Sequence, residues 1–311
     1  MSDAFRCGYV ALVGRPNAGK STLLNQILGG KLAITSAKPQ TTRNRIAGIH
    51  TDERVQMILV DTPGIHSGWT ELNRAMVDRA MSALEDVDLV CWLADMTELA
   101  QRIEKQRPVL GPEEELVAAA VQASGKPVIF LANKTDVVPH PLVLPVFAAV
   151  SERLETAACI PVSALTGDGV PQVMQELFGL LPEGPALFPA EEWTQVSERF
   201  LVAEIVREKL FHLLAKEIPY ATFVEVMEFD ESQRETDNRV RILCDIIVER
   251  QSQKGIVIGK RGEMLKRVGI AARKELIQVL DCRVHLELFV KVEKDWTRSK
   301  RGLRKVGFDL E

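Results

Sequence analysis

No apolar run in this 311-residue chain approaches the ~20 residues that span a bilayer, which argues against an integral membrane protein. Cysteine is scarce: Cys7, Cys91, Cys159, Cys244 and Cys282. An odd number, wide spacing and apolar neighbours argue against a disulfide framework or a zinc site; reduced thiols buried in strands are expected. Histidines are equally scattered, so no metal cluster is expected from them. Met1–Arg6 has no signal-peptide anatomy, and a cytoplasmic location is the expectation. Internal repeats and low-complexity tracts are also missing. The net charge of −4 excludes little by itself. What remains, 46% hydrophobic and 26% charged residues, is the composition of a globular protein with a full core, long enough for two domains.

The stretch that organises the chain is Gly14-Arg15-Pro16-Asn17-Ala18-Gly19-Lys20-Ser21, directly after the apolar run Gly8–Val13. It fits G-x-x-x-x-G-K-[ST], the phosphate-binding P-loop. The glycines let backbone N–H groups form a nest for phosphate oxygens. Lys20 can reach the β- and γ-phosphates, and the Ser21 hydroxyl can ligate Mg²⁺. Thr22–Leu28 reads as a helix ending at Gly29-Gly30, its N-terminal dipole facing the phosphates. A polar stretch, Lys31–Arg45, reads as a loop. Strands Ile46–Thr51 and Val55–Val60 form a hairpin, the second running into Asp61-Thr62-Pro63-Gly64. An Asp there occupies the Walker-B position for Mg²⁺, and Gly64 lets its N–H approach a γ-phosphate.

The buried strand Val128–Ala132 ends in Asn133-Lys134-Thr135-Asp136. This is N-K-x-D, whose Asp accepts two hydrogen bonds from guanine that adenine does not offer in that arrangement. It argues against a P-loop ATPase. Strand Cys159–Val162 leads to Ser163-Ala164-Leu165, expected to present N–H groups to the guanine O6. Helices are expected over 71–84, 113–123 and 170–181, and a strand over 87–94. Strand and helix alternate, which predicts an α/β domain with a mainly parallel sheet covered on both faces and the ligand at the carboxyl ends of the strands.

Taken together, GRPNAGKSTLLN, PQTTR, DTPG, NKTD and VSA resemble the Era branch of translation-factor-like P-loop GTPases. The resemblance implies GTP hydrolysis, GTP/GDP and Mg²⁺ as ligands, and Thr42, ahead of Thr41, as the residue that closes onto Mg²⁺ and the γ-phosphate. It also implies two switches, 32–45 and 64 to about 75. Lys20, Thr42, Gly64 and Asn17 are the candidate catalytic residues. After D-x-x-G, where Ras-like enzymes carry a glutamine that orients water, this chain has Ile65, as Era-branch members characteristically have an apolar residue there. Asn17 then has two readings: an oxygen ligand for a K⁺ ion that supplies catalytic charge, as in related potassium-stimulated GTPases, or a cap of the P-loop turn.

The irregular, proline-containing 183–197 is the expected linker between a nucleotide domain, 1–182, and a second domain, 198–311, with a basic C-terminal tail. Trp193 reads as an anchor packing that linker. Beyond it come an amphipathic helix, 198–215, strands over 220–229 and 239–249, the loop Gly259-Lys260-Arg261-Gly262, and a helix with Leu265, Val268, Ala272, Leu276 and Val279 on one stripe. A strand with Val284, Leu286, Leu288 and Val290 follows. This α+β order with G-x-x-G between two helices resembles a type II KH domain. Residues 250–305 hold 16 Lys+Arg against 6 Asp+Glu, the footprint of a polyanion partner. Lys254, Gly255, Gly259, Lys260, Arg261, Gly262, Lys266 and Arg267 are the candidate RNA-binding residues. The Era resemblance extends here through ERQSQKGIVIGKRGEMLKRVG and LELFVKVEKDW. It implies binding near the 3′ end of small-subunit ribosomal RNA, a role in maturation of the small ribosomal subunit, and peripheral association with the inner membrane face; separately, a monomer is the expectation. The rival from another class is a constitutive RNA-binding protein whose nucleotide domain is a scaffold.

Overall fold

The structure, a computed structural model, describes residues 4–36, 38, 41–67, 70–215 and 217–305. Within the expected switches, positions 37, 39, 40, 68 and 69 lie outside the described residues, as does the end of the basic tail from 306. The chain divides into two compact units: 1–33, 42–69 and 73–195 in one; 34–41, 70–72 and 196–311 in the other.

The first unit contains strands β1 (Arg6–Gly14), β2 (Ile46–Thr51), β3 (Val55–Asp61), β4 (Leu89–Asp95), β5 (Val128–Asn133) and β6 (Ala158–Val162). They form one sheet in the order β2-β3-β1-β4-β5-β6, with β2 antiparallel to β3 and every other pair parallel. The helices are α1 (Lys20–Leu28), α2 (Glu71–Ser82), α3 (Met96–Glu104), α4 (Pro112–Ser124), α5 (Val143–Arg153) and α6 (Val170–Leu180). Every residue of β3 and β5 is buried, which is why Val128–Ala132 of β5 reads as a continuous apolar run. Strand order reverses beside β1, so the carboxyl ends of β1, β3, β4 and β5 deliver Gly14, Asp61, Asp95 and Asn133 to one rim.

Helices α3 and α5 were not expected from the sequence. The start of α3 is the rim itself: the Asp95 carboxylate accepts from Thr97 N at 2.9 Å and caps it. Helix α5 carries Pro145 inside its first turn, where the missing N–H costs nothing.

Residues 183–195 run on as an edge of the same unit. Ile49 N donates to Trp193 O at 2.8 Å, and Thr194 Oγ1 to Ala47 O at 2.8 Å. The buried Gln56 amide oxygen accepts from Leu187 N and Phe188 N at 2.7 and 2.9 Å. The anchor is therefore backbone. The Trp193 side chain, expected to pack the linker, is 40% exposed.

The second unit has β7 (Phe223–Asp230), β8 (Arg239–Val248) and β9 (Arg283–Val292), with β7 antiparallel and β9 parallel to β8. Its helices are α7 (Glu198–Leu213), α8 (Arg234–Asp237), α9 (Gln251–Ile258), α10 (Glu263–Val279) and α11 (Lys300–Lys305). The inward face of β8, from Val240 to Val248, packs with Val202 and Val206 of α7 and with Val268, Ala272 and Leu276 of α10. Leu265, Leu286 and Leu288, expected in this core, are only partly buried at its margin. Cys282, expected in a strand, lies at a bend before β9 and is buried; the other four cysteines are in strands.

Helix α7 departs most from expectation. It reads as amphipathic, yet Glu204, Arg207, Glu208 and Lys209 are buried as well as Leu201 and Phe211. The charges are tolerated because they are paired. Arg207 meets Glu204 at 2.6 Å, and Lys209 meets Glu208 at 2.5 Å and also Glu275 of α10. The rest of the polar face holds Thr35, Lys38 and Thr41, which belong to this unit. Thr35 N donates to Glu208 Oε1 at 2.9 Å, Arg207 Nη2 donates to Thr41 O, and Lys38 Nζ reaches Leu214 O at 2.5 Å.

Candidate functional site: a nucleotide pocket and a basic groove

The P-loop curls between β1 and α1. Gly19 has φ +100°, and a Cβ there would lie 2.0 Å from Asn133 Nδ2, so glycine is required on two grounds. Asn17 also adopts a left-handed backbone, φ 65°, which asparagine tolerates better than most residues. Lys20 is 6% exposed and its Nζ donates to Gly14 O at 3.2 Å and Arg15 O at 2.9 Å. Burial pulls its pKa down to about 8 against the opposing pull of Asp61 and Glu114. Ala18 lies buried under the loop, and Thr22 is half-buried in the first turn of α1. The Arg15 side chain turns away from the loop toward Glu98, Glu113 and Glu114.

Ser21, Thr42 and Asp61 come together. Ser21 Oγ donates to Asp61 Oδ2 at 2.6 Å, Thr42 Oγ1 donates to the same oxygen at 3.1 Å, and the two hydroxyls lie 2.9 Å apart. Thr41, the alternative, donates instead to Lys38 O. Asp61 is fully buried, and its Oδ1 has no hydrogen-bond partner among the described residues. Burial pushes its carboxyl above the ordinary value, opposed by Lys20 and by the two hydroxyls. A buried carboxylate with a spare oxygen and two hydroxyls beside it fits a hard divalent cation.

Thr62 is tied to β1, its Oγ1 donating to Leu12 O at 2.8 Å, and Pro63 is buried beside it. Gly64 lies against Pro16 so closely that a Cβ would come 2.5 Å from the proline nitrogen. The Ile65 N–H donates to Gly14 O at 3.1 Å, while its side chain is 3% exposed within the sheet–helix core. An apolar side chain there is a packing residue and cannot orient water.

Asn133 staples the base end of the pocket. Its Nδ2 donates to Ala18 O at 2.7 Å and its Oδ1 accepts from Ala164 N at 2.9 Å. Lys134, left-handed at φ 69°, reaches Asp95 Oδ2 at 2.5 Å. Thr135 and Asp136 follow in a short turn, with Asp136 exposed. The expectation that Ser163, Ala164 and Leu165 all offer N–H groups is narrowed. Ser163 N donates to Asp168 O at 2.9 Å and Ala164 N to Asn133, which leaves Leu165.

In the second unit, α9 ends at Gly259 and α10 begins after Gly262. Gly259, Arg261 and Gly262 have φ 74°, 53° and 80°, which turns the loop out with Lys260 and Arg261 exposed. Beside it runs a groove of about 510 Å³, open along one side, lined by Gly262, Leu265, Lys266, Gly269, Ile270, Arg273, Leu286 and Leu288. Arg267 is exposed on α10, while Lys254 and Gly255 lie on α9; none of the three lines the groove. Sequence reading missed Gly269, Ile270 and Arg273. The signal was a heptad-like neighbour set on α10 that the core stripe does not include, with Ile270 54% exposed.

Residues 9–134 match the family described as 50S ribosome-binding GTPase, and residues 217–297 match the KH domain family. The chain is 47% identical to the GTPase Era of Geobacter metallireducens over 309 residues, covering 99% of this chain and 100% of that one. It is 40% identical to the GTPase Era of Carboxydothermus hydrogenoformans over 305 residues, 98% of each chain. A crystal structure of Era with MgGDPNP and nucleotides 1506–1542 of 16S ribosomal RNA superposes with a TM-score of 0.91 at 38% identity, over 98% of this chain and 100% of that one. A variant of Aquifex aeolicus Era bound to GDP·AlF₄⁻ gives 0.89 at 38% identity, over 98% and 100%. With these relatives spanning nearly its whole length, and with a P-loop, an N-K-x-D turn and a KH unit in place, the chain belongs to the Era family of GTPases.

Proposed function

We propose that this GTPase is a switch that carries the 3′-terminal region of small-subunit ribosomal RNA on its second unit and acts in maturation of the small ribosomal subunit. The observation that carries the reading is the groove beside Gly259–Gly262: a protruding loop with Lys260 and Arg261, and an apolar floor edged by Lys266 and Arg273. Such a surface suits extended single-stranded RNA, with bases on the floor and phosphates at the loop. The Era relative solved with nucleotides 1506–1542 of 16S ribosomal RNA supports the same partner.

In the nucleotide site, Asp136 is the guanine-reading carboxylate and Leu165 N the remaining N–H for its O6. Ser21, Thr42 and Asp61 would hold Mg²⁺, which would offset phosphate charge during hydrolysis. Ile65 supplies no water-orienting group, so the added charge is assigned to K⁺ near Asn17. Equal hydrolysis rates in K⁺ and Na⁺ would leave Asn17 as a turn residue.

Nucleotide state reaches the RNA unit along the chain: Thr41, bonded through its carbonyl to Arg207, is followed by Thr42, bonded to Ser21 and Asp61. The protein acts as a cytoplasmic monomer with peripheral attachment to the inner membrane face; family resemblance supports that part, and flotation with anionic vesicles checks it.

The deciding experiment is RNA affinity in the nucleotide-free, GDP and GTP-analogue states, with Lys260→Asp/Arg261→Asp alongside. The double variant is expected to lose RNA binding and keep GTPase activity. Equal affinity in all three states would turn the protein into a constitutive RNA binder, and wild-type affinity in the variant would move the RNA site elsewhere.

A further inference from the structure

Behind the P-loop lies a charged cluster that none of the nucleotide motifs accounts for. Arg15 Nη2 meets Glu113 at 2.5 Å, its Nη1 lies 3.7 Å from Glu114 Oε1, and Glu98 of α3 closes on the same nitrogen. Glu98 and Glu113 are surface groups, with side chains 48% and 42% exposed; Glu114 is 1% exposed. Its Oε2 and Arg15 Nε are buried with no hydrogen-bond partner of normal geometry among the described residues, and the only neutral donor beside the carboxylate among them is the Trp92 indole N–H, close enough to favour the ionised form. A carboxylate held in a dry core without full compensation costs stability, and an apolar residue of similar size would relieve that cost. Its place at the first turn of α4, where the helix dipole favours an anion, offsets part of that cost and leaves room for a role.

We propose that Glu114 is a positioning residue of the nucleotide site, acting through Arg15 on the first peptide of the phosphate-binding loop. That peptide is where the loop is held from inside: the Arg15 carbonyl accepts from Lys20 Nζ at 2.9 Å and from Ala18 N at 3.3 Å. Anchoring the Arg15 side chain fixes the direction of this carbonyl, and with it the resting place of the lysine that serves the phosphates. Exposed Glu98 and Glu113 can swing; Glu114 cannot, being enclosed by α4, β4 and the loop.

The arrangement is titratable. Burial raises the Glu114 pKa to about 7; Arg15 and then Trp92 oppose the rise, while Glu98 and Asp95 add to it. The charged groups around it are Arg15 on the loop, Lys20 on α1, Asp95 at the end of β4, Glu98 on α3 and Glu113 on α4. Only the ionised form pulls on Arg15, so the anchor is set above pH 7 and slack below it.

The test is GDP affinity of the full chain in Mg²⁺ from pH 6 to 8.5, for wild type, Glu114→Gln, Arg15→Ala and the double variant. Glu115→Gln, one residue along and paired with Arg153, is the control expected to bind as wild type. At pH 8, Glu114→Gln and Arg15→Ala should each bind GDP about tenfold more weakly, the effect of one pK unit of lost interaction. The double variant should be no weaker than either single one. At pH 6 wild type and Glu114→Gln should converge. Titration of the GDP phosphates cancels in the ratio. A wild-type to Glu114→Gln ratio that is the same at pH 6 and pH 8, or losses that multiply in the double variant, would overturn the proposal. If Glu114→Gln does not fold, Arg15→Ala must flatten the pH dependence by itself, and failure to do so overturns it equally.

Discussion

At the scale of single residues, Asp136 and Glu114 show two opposite uses of a carboxylate. Asp136 is exposed, and the role proposed for it is to read a base. Asp136→Asn should cost GTP ~1–3 kcal/mol of binding, because the guanine donors lose a charged acceptor in a closed site. Its base choice should relax too. Unchanged GTP affinity with continued rejection of ATP would refute that role. Glu114 is buried, and its pKa rises from 4.5 to about 7. Between those values the folded state holds a proton that the unfolded chain has released, so this group's contribution to stability falls as pH rises through the window and stays lost above it. For a rise of that size the loss is about 3 kcal/mol. Glu114→Gln should therefore gain on wild type in melting temperature between pH 4.5 and 8, while binding nucleotide less well at pH 8. A difference between the two proteins that does not change with pH would remove this account. The sequence around Glu114, Pro-Glu-Glu-Glu, reads only as a helix start; that one of three consecutive acids is buried depends on where Arg15 turns, which no local pattern records.

At the scale of elements, the motif turns were legible because their spacing is the chemistry expected of them. The P-loop, D-T-P-G, N-K-T-D and G-K-R-G each sit at the end of the strand or helix expected for them. What escaped was set by tertiary partners. Helix α7 has the hydrophobic and charged content of a surface helix, and nothing local says that Glu204, Arg207, Glu208 and Lys209 are buried. Likewise α10 shows its core stripe, but not that Ile270 and Arg273 on the next face edge a groove. The charge pairs on α7 carry a prediction of their own. Arg207→Ala leaves Glu204 buried without its partner and frees the Thr41 carbonyl. It should destabilise the second unit by about 3–5 kcal/mol in denaturant unfolding followed from a probe in that unit, and should weaken the nucleotide dependence of RNA binding. A shift below about 1 kcal/mol would mean that the pair is solvated in solution.

At the scale of the whole molecule, a chain of net charge −4 concentrates its basic residues in one region. RNA affinity should therefore depend on salt far more than the overall charge suggests. For single strands each neutralised phosphate contributes about 0.7 to the slope of log affinity against log salt. Lys260→Ala/Arg261→Ala should then flatten the slope by about 1.4, if both side chains meet phosphates; an unchanged slope would place the phosphate contacts elsewhere on the surface. The second unit is also discontinuous in sequence, and this bears on its birth. Thr41 and its partner Arg207 are 166 positions apart. At synthesis rates of about 5–20 residues per second, Thr41 leaves the ribosome roughly 8–30 s before the arginine that will bind its carbonyl. The nucleotide motifs, ending at Leu165, are complete in that interval. From there to Arg207 is 42 positions, so for roughly 2–8 s at those rates a nascent chain has the residues to hold GTP and nothing to report it to, and the switch is made before its wiring.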